Sequence, residues 1–120
     1  MSAVMSPQMI DLRVPGTRTR LRVRTAASWA SRTFAMLNTR ELRDPCGLWV
    51  KPCRTIHTFG LRFAVDVIFL RADGVVTKVV SRMKPWRVTT CKDARTVLEL
   101  RAGLATRLNI EPGVALDLLA

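Results

Sequence analysis

The chain has 120 residues, enough for one domain with an ordinary hydrophobic core. Hydrophobic residues make up 48% and charged ones 24%, a balance that excludes a disordered chain, and no apolar run has the length of a membrane-spanning helix. Lys and Arg number 20 against 9 Asp and Glu, a formal net charge of +11, so the surface is positive and attracts anionic partners.

Met1 to Gly16 mix Ser, Pro, Gln and Gly without clear periodicity. They are read as a flexible tail (1–16) ahead of a single domain (17–120), with a short extended piece at Met9 to Val14. Thr17 to Thr25 then alternates. Arg18, Arg20, Arg22 and Arg24 fall on one side of an extended chain and Leu21 and Val23 on the other, which predicts a half-buried strand with a basic outer face. From Thr25 to Asn38 the period changes to three and four residues, through Ala26, Trp29, Ala30, Thr33, Met36 and Leu37. This predicts an amphipathic helix that Thr25 or Ser28 starts and Asn38 stops. Gly47 to Val50, flanked by Pro45 and Pro52, has room for a brief strand only.

Ile56 to Leu70 is the most hydrophobic stretch. If extended, it places Phe59, Leu61, Phe63, Val65, Val67 and Phe69 on one face and Thr58, Arg62 and Asp66 on the other. Asp73-Gly74 is a strong hairpin signal, and Val75 to Ser81 supplies the return strand. Thr96 to Leu100 is β-prone. Ala102-Gly103 opens a short helix through Leu108, Asn109 stops it, Pro112-Gly113 turns the chain, and Val114 to Leu118 closes it with a strand. The expected fold is α+β: a small, curled, mostly antiparallel sheet or partly open barrel with one main helix and one short helix.

The run Ile56-His57-Thr58-Phe59-Gly60-Leu61-Arg62-Phe63-Ala64-Val65-Asp66-Val67-Ile68-Phe69-Leu70, followed by Asp73-Gly74, resembles the central signature of the domain of unknown function 192 family. That signature is an aromatic and Met-rich strand, a Pro, a hydrophobic-Asp pair, an Ile-Phe-Leu strand and an Asp-Gly turn. Arg32 to Leu37, Gly47-Leu48-Trp49 and Val97 to Gly103 resemble flanking segments in the family's order, so the likeness runs from Arg20 to about Leu118. Leu61 and Ala64 stand where the pattern has Met and Pro, and Thr33-Phe34-Ala35 interrupts its Gly-Leu. The resemblance implies a small β-rich α+β domain and brings no activity, cofactor or catalytic residue. Typical members carry a signal peptide or lipid anchor; no such segment is legible here, and a cytoplasmic location is expected.

Cys46, Cys53 and Cys91 are odd in number and form no C-x-x-C pair, which predicts free thiols in a reducing compartment. His57 is the only histidine, so any imidazole chemistry must use it. Cys53, His57, Arg62 and Asp66 form the candidate polar site. On a straight strand Cys53 and His57 would stand about 13 Å apart, too far for a nucleophile and its base, so only a loop could join them. Asp66 lies in an apolar run where a carboxylate is costly unless paired. Either Arg62 or backbone amides hold it and fix the turn before its strand, or the group lines a polar ligand pocket or a catalytic site. Cys46, Cys53, His57 and Cys91 are zinc-type ligands without a compact zinc spacing, so neither metal nor cofactor is expected.

Sixteen of the 20 cations are Arg, whose planar fork suits phosphate; a codon bias toward Arg is the plainer cause. Alternate strand residues project about 6.6 Å apart, so Arg18, Arg20, Arg22 and Arg24 could track phosphates, with Trp49 and Trp86 as stacking surfaces for bases. The competing and favoured reading has the four cations guarding an exposed edge strand against unwanted pairing and the tryptophans in the core. The leading functional expectation is a non-enzymatic binding module for an anionic ligand or macromolecule. Nucleic-acid binding through the Arg strand is the first alternative, and an enzyme using a polar pocket at His57 and Asp66 the second.

Overall fold

The computed structural model describes residues 9–26 and 46–119. In chain order these form β1 (Met9–Arg13), β2 (Arg20–Ala26), β3 (Cys46–Val50), β4 (Thr55–His57), β5 (Val65–Leu70), β6 (Val76–Met83), β7 (Val88–Thr90), β8 (Thr96–Arg101), the helix α1 (Leu104–Arg107) and β9 (Asp117–Leu119). Seven strands make one sheet in the order β6-β5-β8-β3-β2-β1-β9, and β4 pairs with β7 in a separate two-stranded sheet. Neighbours run antiparallel except β2 and β3, which are parallel. A parallel neighbour cannot be reached by a tight turn, and residues 27–45 separate the two in sequence. The sheet curls until its outer strands meet at one end. There the Val76 N–H donates to the Val114 carbonyl at 2.8 Å, the Gly113 N–H to the Val76 carbonyl at 2.8 Å, and the Leu116 N–H to the Gly74 carbonyl at 3.0 Å.

At β5 and β8 the sheet buries both faces. One face packs Leu21, Val23, Ile68, Leu70, Leu98 and Leu100 against Leu104, Ala105, Leu108, Ile110 and Leu116 from α1 and the chain after it. The other packs Leu48, Val50, Val65, Val67, Phe69 and Val97 against Ile56, Leu61 and Ala94 of the β4–β7 layer. This double burial explains why β5 is buried at every position and why Val97 and Leu98 are apolar side by side.

The described residues are mostly β, which corrects the α+β expectation: α1, with four residues, is the one helix among them. The main helix expected over Thr25 to Asn38 falls outside the described residues, apart from Thr25 and Ala26, which close β2. The apolar residues are spent on strands that are covered on both faces. Little room is left for helix between Gly103, at φ 93°, and Asn109, at φ 57°.

The long extended segment over Ile56 to Leu70 is broken as well. Gly60 takes φ 83°, a left-handed conformation open to glycine, and the Leu61 N–H donates to the Thr58 carbonyl at 3.2 Å. The chain therefore leaves β4 at His57, turns, and enters β5 at Val65. Residues 9–13, read as tail, form β1 between β2 and β9, with Leu12 and Val14 buried in the core. Finally, β2 lies inside the sheet between β1 and β3, so its arginines guard no edge.

Candidate functional site

The structure separates the residues of the expected polar site. Asp66 is fully buried on the face of β5 that packs toward α1. Its Oδ1 accepts the Arg82 N–H at 2.8 Å, and its Oδ2 accepts the Gly103 N–H at 3.1 Å and the Ala105 N–H at 2.8 Å. The carboxylate thus ties β5 to the end of β6 and to the first turn of α1, where free amide N–H groups need an acceptor. Arg62 is exposed on the turn that precedes β5. His57 belongs to the β4–β7 layer, whose Ile56 and Leu61 pack on the opposite face of the sheet from Asp66. Cys53 sits in that same layer, its thiol donating to the Thr55 carbonyl at 3.1 Å.

Around His57 the β4–β7 layer builds a different arrangement. Its ring lies tilted against Phe59, centroids 4.7 Å apart and planes 30° from parallel. Phe59 stacks in turn on Trp86 at 5.7 Å and 24°. Phe59 is 44% exposed, Trp86 66% and Val88, beside them, 59%. Two loops supply this ladder, and buried Thr58 locks them together. The Thr58 N–H donates to the Arg87 carbonyl at 2.9 Å, and its carbonyl accepts the Trp86 N–H at 3.1 Å. Its hydroxyl donates to the Lys84 carbonyl at 2.7 Å and accepts the Arg87 N–H at 2.9 Å. Trp86 is held at φ 65°, a backbone conformation that bulky residues rarely adopt.

Cations crowd the same layer. Residues 53–64 and 84–94 carry Arg54, Arg62, Lys84, Arg87 and Lys92 against a single acid, Asp93. An open groove lined by Val80, Arg82, Met83, Lys84, Arg87 and Val88 runs beside the ladder. Trp86, which the favoured sequence reading puts in the core, is exposed instead, and Phe59, expected on the apolar face of one long strand, is brought out by the turn at Gly60. Trp49, the other tryptophan named for stacking, packs against the core, with Lys51 Nζ 4.4 Å from its ring centroid.

Arg18, Arg20, Arg22 and Arg24 are all exposed, while Leu21 and Val23 are buried beneath them. Arg13 of β1 registers with Arg20 and extends the row; Asp11 and Asp117 partly offset it, at 3.4 Å from Arg22 and Arg13. Cys53 and Cys91 are not joined in a disulfide, and the Cys46 side chain lies outside the described residues. Among the described residues no group of three or more His, Cys, Asp or Glu could hold a metal ion, and no helix is long and apolar enough to cross a membrane. Glu99, which the sequence did not single out, is fully buried on β8 between Leu48 and Val67. At the β5–β6 hairpin the Arg71 guanidinium and then the Val75 N–H hold the Asp73 carboxyl below its ordinary value, and the same hydrogen bond raises Arg71.

With this architecture in view, the sequence model of one family matches residues 10–118, nearly the whole described chain. The chain belongs to the DUF192 family. The family is described as Uncharacterized ACR, so DUF192 membership carries a fold and no reaction. A crystal structure of a protein of unknown function from Novosphingobium aromaticivorans DSM 12444 is similar, at 26% identity and TM-score 0.79, over 97% of this chain and 89% of that one. So is one from Sinorhizobium meliloti 1021, described as a candidate transcription regulator, at 20% identity and TM-score 0.79, over 94% of each chain. No curated protein matches.

Proposed function

We propose that this DUF192 chain is a non-enzymatic binding module for an anionic ligand or macromolecule, with the β4–β7 layer as its binding face. The observation that carries the reading is the exposed aromatic ladder, braced through Thr58, in a layer whose chain segments carry five cations and one acid. Solvent-facing aromatics held rigidly on loops are a costly use of apolar surface unless a partner covers them. The whole-chain charge of +11 supports an anionic partner. Against a catalytic reading, the Asp66 carboxylate is occupied by three backbone amides and is divided from His57 by the sheet. A cytoplasmic setting belongs to the same reading, supported by the odd number of cysteines and their lack of a C-x-x-C pair.

A second reading rests on the Arg row of β2. Because β2 is flanked by strands on both sides, edge protection no longer accounts for its exposed Arg20, Arg22 and Arg24, and phosphate binding along the row, with Arg18 just ahead of the strand, becomes the stronger account. One experiment separates the two faces. Long-chain inorganic polyphosphate is titrated into wild type, Lys84→Gln/Arg87→Gln and Arg20→Ser/Arg22→Ser at about 50 and about 200 mM salt. The proposal expects salt-sensitive binding that the first double variant weakens, with a salt slope shallower by about one to two counterions. Loss confined to the second variant would move the binding face to β2, and no binding by wild type would refute both.

A further inference from the structure

We infer that the ladder is a stacking platform for single-stranded nucleic acid, with bases on Trp86 and Phe59 and phosphates on the cations beside them. The inference rests on the binding-module reading and names its ligand class. Charge alone does not choose among polyanions; the rings do. Polyphosphate has nothing to lay on an aromatic face, and an acidic peptide needs cations without a stack. A duplex keeps its base faces inside its own stack. An unpaired base offers a flat π-face, and the negative backbone that carries it needs cations on either side of the ring.

The layer supplies that alternation. In the chain order Lys84-Pro85-Trp86-Arg87, cations sit two residues before and one after the most exposed ring. On the facing loop, Arg62 follows Phe59 by three residues and is exposed. The two loops are joined through Thr58 before any ligand arrives, so little order is left to be gained on binding. The left-handed backbone at Trp86 points the same way. A residue that tolerates this conformation, such as Gly or Asn, would relieve the strain, yet a large ring occupies the position and stays 66% exposed.

The test measures fluorescence anisotropy of end-labelled oligo-uridine and oligo-thymidine of about ten nucleotides, with a duplex of equal length and inorganic polyphosphate as competitors. The variants are Trp86→Asn, which tolerates the left-handed backbone, Trp86→Phe, and Phe59→Ala on the other loop. Circular dichroism checks each fold, and Phe59→Ala carries the test if Trp86→Asn does not fold. Loss of a stacked base should weaken oligonucleotide binding at least about fivefold in Trp86→Asn and in Phe59→Ala. Trp86→Phe should retain most of the affinity, and polyphosphate affinity should be unchanged throughout. Equal oligonucleotide affinity in Trp86→Asn, Phe59→Ala and wild type would overturn the stacking platform, as would a duplex that competes as well as the single strand. Wild type that binds polyphosphate and no oligonucleotide would overturn the platform and leave the binding module standing. Binding of neither would overturn both.

Discussion

Replacing Asp66 by Ala removes the acceptor of three backbone N–H groups, at Arg82, Gly103 and Ala105, from a position with no solvent exposure. A buried donor left without a partner costs roughly 1–3 kcal/mol. Ala105 is buried and should pay near the upper end. Arg82 is exposed and Gly103 half-buried, so water can reach their amides and the cost there falls toward the lower end. The expected sum is about 3–5 kcal/mol, a large share of the roughly 5–15 kcal/mol that holds a domain together. In a chain of this size that corresponds to a Tm lower by roughly 10–20 °C. Asp66→Asn keeps the volume and one oxygen. That oxygen can still serve Gly103 and Ala105, while the amide nitrogen faces the Arg82 N–H, so about 1–2 kcal/mol should be lost. Urea unfolding with an unchanged slope gives both values, and amide exchange at Ala105 should quicken in the Ala variant. A loss below about 1 kcal/mol for Asp66→Ala, or a larger loss for Asn than for Ala, would refute the amide-tether account.

A Cβ on Gly47 would stand 2.5 Å from Leu100 Cδ2 and 2.9 Å from the Glu99 carbonyl oxygen, and backbone cannot step aside, so Gly47→Ala should cost about 1–3 kcal/mol in the same unfolding assay. Asp73 titrates below an ordinary carboxyl because its folded value is depressed. Its contribution is therefore complete above the unfolded value, near pH 4, and disappears as pH falls through the folded one; Arg71→Gln should raise its NMR titration midpoint, and an unmoved midpoint would break the assignment to Arg71. Because β2 is an inner strand, Arg20→Ser/Arg22→Ser should leave sedimentation behaviour monomer-like to the same degree as wild type, whereas new association would show that the row does protect an edge. Thiol titration of denatured, non-reduced protein should find three groups, and a single group would reveal a disulfide.

Local pattern was enough for several elements. The alternation of Arg18 to Arg24 with Leu21 and Val23 named a strand and its inner face, and β2 has both. Asp73-Gly74 named the β5–β6 hairpin, and Gly103 and Asn109 bracketed the short helix closely. The order of motifs from Arg20 to Leu118 was enough to name the family. These signals are legible because turn chemistry and side-chain parity are properties of a few adjacent residues.

Position within the fold is not such a property. Nothing local in Thr17 to Thr25 says that β1 and β3 lie on either side of β2, and that placement alone removes edge protection as the role of its arginines. An apolar run that alternates is compatible with one long strand. Only the packing of Ile56 and Leu61 on one core and Val65 to Leu70 between two cores requires the break at Gly60 that turns Phe59 outward. For Asp66 the sequence left Arg62 or backbone amides as partners; the structure gives it amides, at residues 16, 37 and 39 positions away that no local pattern could name. The ladder of His57, Phe59 and Trp86 joins residues 29 apart through Thr58, a contact that the tertiary structure creates. The sequence determined the half-buried strand at Leu21 and Val23, the hairpin turn at Asp73-Gly74 and the net positive charge. The tertiary structure decided which of its cations and rings stand together, because long-range pairing sets neighbours that no local period encodes.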